Sequence, residues 1–371
     1  MKVTHIMNLL EEIAPQHYAE DFDNTGLLVG DPHQEVSGVL VAHDTLGTVV
    51  DEAIAAHCNL IVSFHPILFS GLKSITGKTY VERAVQKAIK HDISIFAVHT
   101  ALDNSWNGVN AAMCEKLGLQ KQRVLIPKMG TVKKLTVCVP TKNLTVLQNA
   151  LFAVGAGAIG NYSDCGFSVL GTTSFKPKKA AGPTVGATGK THLGEETQLQ
   201  LSFAAHLEGS VLKTLGENHP YEEIAYGITT LENKNQHIGM GMYGHLPVPM
   251  QQKDFLQKLK SVFKTGCVRH STLLNKKIGR VAVLGGSGSF AIGAAQKAGC
   301  DAFVTADLKY HDFYRAENNI LLADVGHYES ERYTKELLVA FLTKKIANFA
   351  PAFPEGKVVL SKTNTNPVSY F

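Results

Sequence analysis

NLIVSFHPILFS, residues 59–70, is the stretch that decides the fold. Leu60, Ile61, Val62 and Phe64 are apolar with almost no polar interruption, which suits a strand covered on both faces. The run ends at His65, set against Pro66. An imidazole at the end of a buried strand must find a partner or cost stability. Its neighbours read the same way. GVLVAH (38–43) and ISIFAVH (93–99) are further apolar strands. Helical spacing falls between them, over 47–57 and in YVERAVQKAIKH (80–91), and VNAAMCEKLG (109–118) is a helix closed by Gly118. Strands of this kind alternating with helices predict a parallel or mixed sheet with helices on both faces.

The texture changes near residue 128. KKLTVCVP (133–140) opens as a strand, and NLTVLQNALFAVG (143–155) follows as a helix. A Gly/Ser-rich stretch and the loop KPKKAAGPTVGATGKTHLGE (176–195) come next, then the strand LQLSFAAHL (199–207). A helix and turn over 211–223 lead to the strand IAYGITTL (224–231). This order predicts a small ferredoxin-like α+β unit. After Pro247 and Pro249 the first texture returns, with a helix at 252–264 and strands at 279–286, 301–307, 319–324 and 358–362. Helices lie at 291–299 and 330–346. The expected organisation is therefore an α/β core from 1–127 and 240–371, its two halves rejoined in one mixed sheet, around an inserted domain at 128–239.

Composition narrows the function. The chain has 371 residues, 44% of them hydrophobic, and a formal net charge of +4. This is the balance of a globular protein, with no clear nucleic-acid footprint. The short basic piece at 176–179 reads as a solvated loop. Six cysteines (Cys58, Cys114, Cys138, Cys165, Cys267 and Cys300) form no C-x-x-C pair, which suggests reduced thiols and a cytoplasmic setting. MKVTHIMNLLEEIAP carries acids within its apolar positions and reads as an amphipathic helix, not a signal peptide. No apolar run is long enough to span a membrane.

Ligands of open α/β folds bind beyond the C-terminal ends of strands. Four polar clusters fall there: Ser63-Phe64-His65-Pro66, HTALDN (99–104), Thr305-Ala306-Asp307 running into LKYHD (308–312), and ADVGHYESER (323–332). His327 and Glu331 lie four apart at the start of a helix, on one face. Converging with His65 and Asp103, they would make a site of two imidazoles and two carboxylates, suited to Zn, Mn or Fe. Each residue alone also has a structural reading, His65 as a hydrogen-bonded strand end and Asp103 with Asn104 as a helix cap. A rival motif is GGSGSFAIG (285–293), where Gly286, Gly288 and Ala291 follow a strand and Asp307 lies about twenty residues on, as in a dinucleotide fingerprint. Its alternative is a tight turn that needs glycine. His192, Glu195, His206 and His219 of the inserted domain read as structural or surface residues.

These motifs, with DFDNTGLLVG (21–30), VAVLGGSGS (281–289), TADLKYHD (305–312) and GHYESE (326–331), resemble the GTP cyclohydrolase type 2 homologue family, also called NIF-three-like dinuclear-metal proteins. The resemblance covers nearly the whole chain. GAIGNYSDCGFSVLGTTSF and NHPYEE (218–223) resemble the CutA-like/PII-like insertion of its longer members. It implies a toroidal homohexamer and a site for one or two divalent cations, with His65, Asp103, His327 and Glu331 as metal ligands and Glu331 as the bridge. The family usually has two histidines before the proline, and here the first is Phe64, which cannot ligate. His99, four residues before Asp103, is the nearest replacement ligand by sequence, or a residue that orients one. The implied activity is a metal-dependent hydrolase on a nucleotide-like or other small substrate, with His99 as general base or proton shuttle. The alternatives are a non-enzymatic metal-binding scaffold or adaptor and, third, a dinucleotide-dependent enzyme.

Overall fold

The computed structural model describes residues 1–160, 162–178, 186–235, 237–349 and 357–371. Residues 179–185 of the basic loop lie outside the described residues. The chain divides into two compact units, Met1–Pro127 with Gln236–Phe371, and Lys128–Asn235.

The first half of the larger unit runs α1 (Val3–Ile13), β1 (Gly26–Val29), β2 (Val39–Ala42), α2 (Gly47–Ala55), β3 (Leu60–Ser63) and α3 (Tyr80–Lys90). It continues through β4 (Ser94–Ala97), the one-turn helix α4 (His99–Asp103), α5 (Val109–Leu117) and β5 (Gln120–Pro127). The smaller unit holds β6 (Val132–Pro140), α6 (Leu144–Ala153), β7 (Gly166–Phe175), β8 (His192–Ala204), α7 (Glu208–Asn218) and β9 (Tyr226–Thr230). The second half then runs β10 (Gly239–Met250), α8 (Gln252–Phe263), β11 (Arg269–His270), β12 (Ile278–Ser287), α9 (Ile292–Lys297) and β13 (Ala302–Ala306). It closes with β14 (Leu321–Asp324), α10 (His327–Glu331), α11 (Thr334–Phe349) and β15 (Val358–Leu360).

The halves do not rejoin in one sheet, which corrects the expectation from sequence. The larger unit has two sheets, in the orders β1-β4-β3-β2-β15 and β11-β14-β13-β12-β10-β5. Each half keeps its own sheet and sends one strand to the other: β5 pairs antiparallel with β10, and β15 pairs parallel with β2. The antiparallel strand β1, bulged between Leu27 and Val29, takes the remaining edge of β4. The sequence reading also missed β10, because Pro247 and Pro249 argue against a central strand. The strand accommodates them past the end of its β5 pairing at His245, in the irregular stretch between His245 and Met250 on the β12 side.

Burial on both faces follows from the all-apolar strands. Val39, Val41, Leu60 and Val62 enter one core cluster with α1 and α11, and Leu40, Ala42 and Ile61 enter another with α2 and α3. The second sheet repeats the pattern, with Val281, Val283, Ala302 and Val304 on one side and Ala282, Leu284 and Phe303 on the other. In the smaller unit the sheet order is β7-β8-β6-β9, antiparallel throughout, and Leu147, Leu151, Val211 and Leu215 of α6 and α7 join its core.

Parallel pairing of β2, β3 and β4 brings their C-terminal ends to one edge of the first sheet. β12, β13 and β14 do the same in the second. Gly108 fixes the turn from α4 to α5, because a Cβ there would overlap the Leu102 carbonyl oxygen. Gly108→Ala is expected to lose about 2 kcal/mol or more of stability, read from urea denaturation midpoints at unchanged m-value.

Candidate metal centre

The two sets of strand ends converge on the Glu331 carboxylate, which is 3% exposed. Its Oε2 lies 3.3 Å from Nε2 of His43, of His65 and of His327. His43 follows β2, His65 follows β3 and His327 opens α10 after β14. The helical spacing of His327 and Glu331 places both on one face, as expected.

Carboxylates fix two of the imidazoles from behind. His65 Nδ1 bonds Asp44 Oδ1 at 2.7 Å, and His327 Nδ1 bonds Asp307 Oδ2 at 2.7 Å. Asp44 also accepts from the Thr365 hydroxyl, and Asp307 from the Ser287 hydroxyl. A carboxylate on Nδ1 leaves the Nε2 lone pair turned into the site and raises its basicity. Despite burial, the His65 hydrogen bond holds Asp44 below the usual carboxylate range. The His327 hydrogen bond does the same for Asp307. Burial pushes both imidazoles toward the neutral form. The facing carboxylates overcome it and raise His65 to about 9 and His327 to about 11. Burial likewise opposes ionisation of Glu331, but the imidazoles of His327, His43 and His65 facing its Oε2 hold it well below its ordinary value.

Two groups have ligand atoms that all lie within 4.8 Å of one another: His43, Asp44 and His65, and His65, His327 and Glu331. Their fit to a cation rests on the buried atoms left over. Glu331 Oε2, both His43 nitrogens and Asp103 Oδ1 are buried with no hydrogen-bond partner among the described residues. Zinc bonds to nitrogen and oxygen of ~2.0–2.1 Å at tetrahedral angles give a ligand-to-ligand edge of ~3.3 Å, the spacing of the three Nε2 atoms from Oε2. Such a set of nitrogen and oxygen donors could hold a metal ion.

Asp103 closes α4 and is buried. Burial, then the Glu331 charge, raises its pKa well above the ordinary value. Two buried carboxyls that repel each other favour a cation between them. His99 stands beside this cluster, its ring 5.3 Å from that of His65 and 5.7 Å from that of Phe64. Its Nδ1 is taken by Asp23 Oδ1 at 2.7 Å, and Asp23 also accepts from the Thr100 amide and hydroxyl. His99 and Asp307 both carry positive φ, 27° and 55°, a backbone cost met at sites that need a fixed side-chain direction.

The glycine-rich turn has a packing role here. A Cβ on Gly286 would overlap Glu331 Oε1 and stand 3.3 Å from His327 Nε2. One on Gly288 would overlap Thr305 Oγ1. Asp307, the ribose-binding acid of the dinucleotide reading, is engaged by His327 and Ser287 instead. In the smaller unit, His219 donates to or accepts from its own surroundings, with Nε2 2.9 Å from the Cys138 carbonyl and Nδ1 accepting from the Tyr221 amide.

His43, Asp44 and Asp23 were missed from sequence. The signal was present: His43-Asp44 follows its strand just as His65 follows the next, and Asp23 lies in DFDNTG. A cavity of about 340 Å³ opens beside the cluster, lined among others by His43, Asp44, His65, His327, Arg269 and Tyr370.

The chain belongs to the family described as Duf34/NIF3 (NGG1p interacting factor 3), whose profile matches residues 1–367. It is 36% identical over 368 residues to a Bacillus subtilis protein named GTP cyclohydrolase 1 type 2 homolog, covering 98% of this chain and 97% of that one. Among solved structures, a Bacillus cereus protein related to NIF3 matches at a TM-score of 0.85 and 34% identity, over 100% of this chain and 99% of the other. A Staphylococcus aureus protein matches at 0.76 and 29%, with the same coverage.

The raised imidazole pKa values set a pH dependence for metal-free protein. A group with a raised folded pKa stabilises fully below its unfolded value, ~6.5 for histidine, and loses that contribution as pH rises through the folded value. Metal-stripped protein is therefore expected to melt at lower temperature at pH 10 than at pH 7, because His65 titrates near 9. The drop is expected to shrink in His65→Gln, measured by scanning calorimetry with chelator present.

Proposed function

We propose that this chain binds one or two divalent cations (Zn, Mn or Fe) through His65, Asp103, His327 and Glu331, and that it is a hydrolase acting on a small, nucleotide-like substrate. The observation that carries the reading is the buried Glu331 oxygen, 3.3 Å from three imidazole nitrogens and hydrogen-bonded to none. A cation bound there would supply Lewis acidity and bring the pKa of a coordinated water to ~7.

The chain's own residues do the rest. Asp44 and Asp307 hold His65 and His327 in the tautomer that turns Nε2 inward. His99, oriented by Asp23, is an imidazole–carboxylate pair of the kind that accepts a proton from water. Arg269 lines the cavity with its side chain about half exposed, anchored on Asp324 at 3.1 Å and on the Leu308 carbonyl at 2.7 Å. A fixed guanidinium facing a small cavity suits a phosphate or carboxylate on the substrate. GTP, named in the relatives' descriptions, is the first nucleotide to assay.

The remaining parts of the reading are proposals of the same standing. The smaller unit, with its β-α-β-β-α-β order, is ferredoxin-like and corresponds to the CutA-like/PII-like insertion. The protein assembles as a homohexamer, which light scattering would report as six chain masses. The six free cysteines suit a cytoplasmic setting. Among the described residues, no helix is long and apolar enough to cross a membrane.

Protein purified without an affinity tag is expected to carry one or two of these metals per chain by plasma mass spectrometry. Nucleotide hydrolysis is expected to vanish on chelation and return with the metal. His99→Gln should leave metal content unchanged and reduce turnover by ~10²–10⁴-fold. Stable metal content with no turnover on a nucleotide panel would make the chain a metal-binding scaffold, and no metal at all would sink the reading.

A further inference from the structure

We propose that His43 is itself a metal ligand, supplying from the end of β2 the imidazole that Phe64 cannot supply from the end of β3. The inference rests on the metal-centre reading above and goes beyond its four ligands. His43 is 1% exposed, and neither ring nitrogen has a hydrogen-bond partner among the described residues. A buried imidazole left in this state costs the desolvation of both nitrogens. Its Nε2 is nonetheless aimed into the cluster, 3.3 Å from Glu331 Oε2, the same separation kept by His65 and His327. It also groups with Asp44 and His65 within ligand-sharing distance.

Packing sets that aim. The His43 ring lies 4.7 Å from His65 edge-on, 5.0 Å from Tyr328 and 5.5 Å from Phe64. Phe64 is fully buried and enters the core cluster with Val62 and Val98. Strands β2 and β3 are parallel neighbours with Ala42 opposite Ser63, so residues 43 and 64 leave adjacent strands at the same level. An imidazole at either position would thus enter the same space without moving backbone. Position 43 then carries the imidazole and position 64 the apolar ring, both in the same small space. A purely structural His43 would be expected to bond a carbonyl or hydroxyl, as His219 does, and it bonds none.

The test is metal stoichiometry and affinity, not activity. Wild type, His43→Ala and the double variant His43→Ala/Phe64→His are stripped, titrated with Zn(II) and Co(II), and read by plasma mass spectrometry and by the Co(II) visible spectrum. Thermal melts check folding, and His43→Gln replaces His43→Ala if the alanine variant fails to fold. The expected result is loss of one ion per chain, or at least ~100-fold weaker binding, in His43→Ala, with an altered Co(II) spectrum. The double variant should recover binding. Wild-type stoichiometry, affinity and spectrum in a folded His43→Ala or His43→Gln would overturn the role of His43 and leave the other four ligands standing. Weakened binding without recovery in the folded double variant would overturn the replacement of position 64. Absence of metal from wild type itself would remove the centre, and this ligand with it.

Discussion

A carboxylate buried at 3% exposure, with its outer oxygen unbonded, is the constraint around which the larger unit is arranged. Taking that charge out of water is costly unless positive charge or strong donors surround it. Three imidazoles do so here, drawn from the ends of β2, β3 and the segment after β14. No single sheet supplies all of them. The first sheet delivers His43, His65, His99 and Asp103, and the second delivers Asp307, His327 and Glu331. Two sheets with parallel strands ending toward each other are thus what the site requires, and one continuous sheet would set these ends side by side along a single edge.

The outer ring of acids gives the cluster its chemistry. His65, His99 and His327 each place Nδ1 on an aspartate at 2.7 Å. The repetition matters because an unpaired imidazole could turn or change tautomer, whereas each of these is fixed by a carboxylate that is itself held by hydroxyl or amide donors. His43 lacks such an acid on Nδ1. It is fixed by ring packing against His65, Phe64 and Tyr328 instead.

Much of this was legible in the chain. The all-apolar strands announced burial on both faces, and the rule that ligands gather at strand ends pointed to His65, His327 and Glu331, whose side chains the structure brings together, and to Asp103, which it buries at the end of α4. Other parts were hidden for physical reasons. Pro247 and Pro249 concealed β10, because a proline-bearing strand is legible only once its pairing partners and their gaps are known. His43 was hidden by being read as the last residue of the apolar strand GVLVAH, and Asp44 by lying one residue past it. Sequence spacing favoured His99 as the nearest substitute for a ligand at 64. Spatial pairing of β2 with β3 puts His43 beside that position, a relation that only sheet order reveals.

The glycine-rich turn shows how a motif can have the right letters for another reason. A dinucleotide turn uses its glycines to let a pyrophosphate approach backbone, with a helix N-terminus behind it. Here the object approaching backbone is protein. Gly286 lies under Glu331 and His327, Gly285 donates its amide to Asn110 Oδ1 at 3.1 Å, and the Gly286 amide bonds Ser330 Oγ at 2.9 Å. The amides of Gly285 and Gly286 are therefore taken up by Asn110 of α5 and Ser330 of α10. Ser330 in turn donates to the His327 carbonyl at 2.7 Å, so the turn after β12 and the first turn of α10 are tied together. The glycines set how closely α10 approaches the second sheet, and through that they set where Glu331 meets the imidazoles.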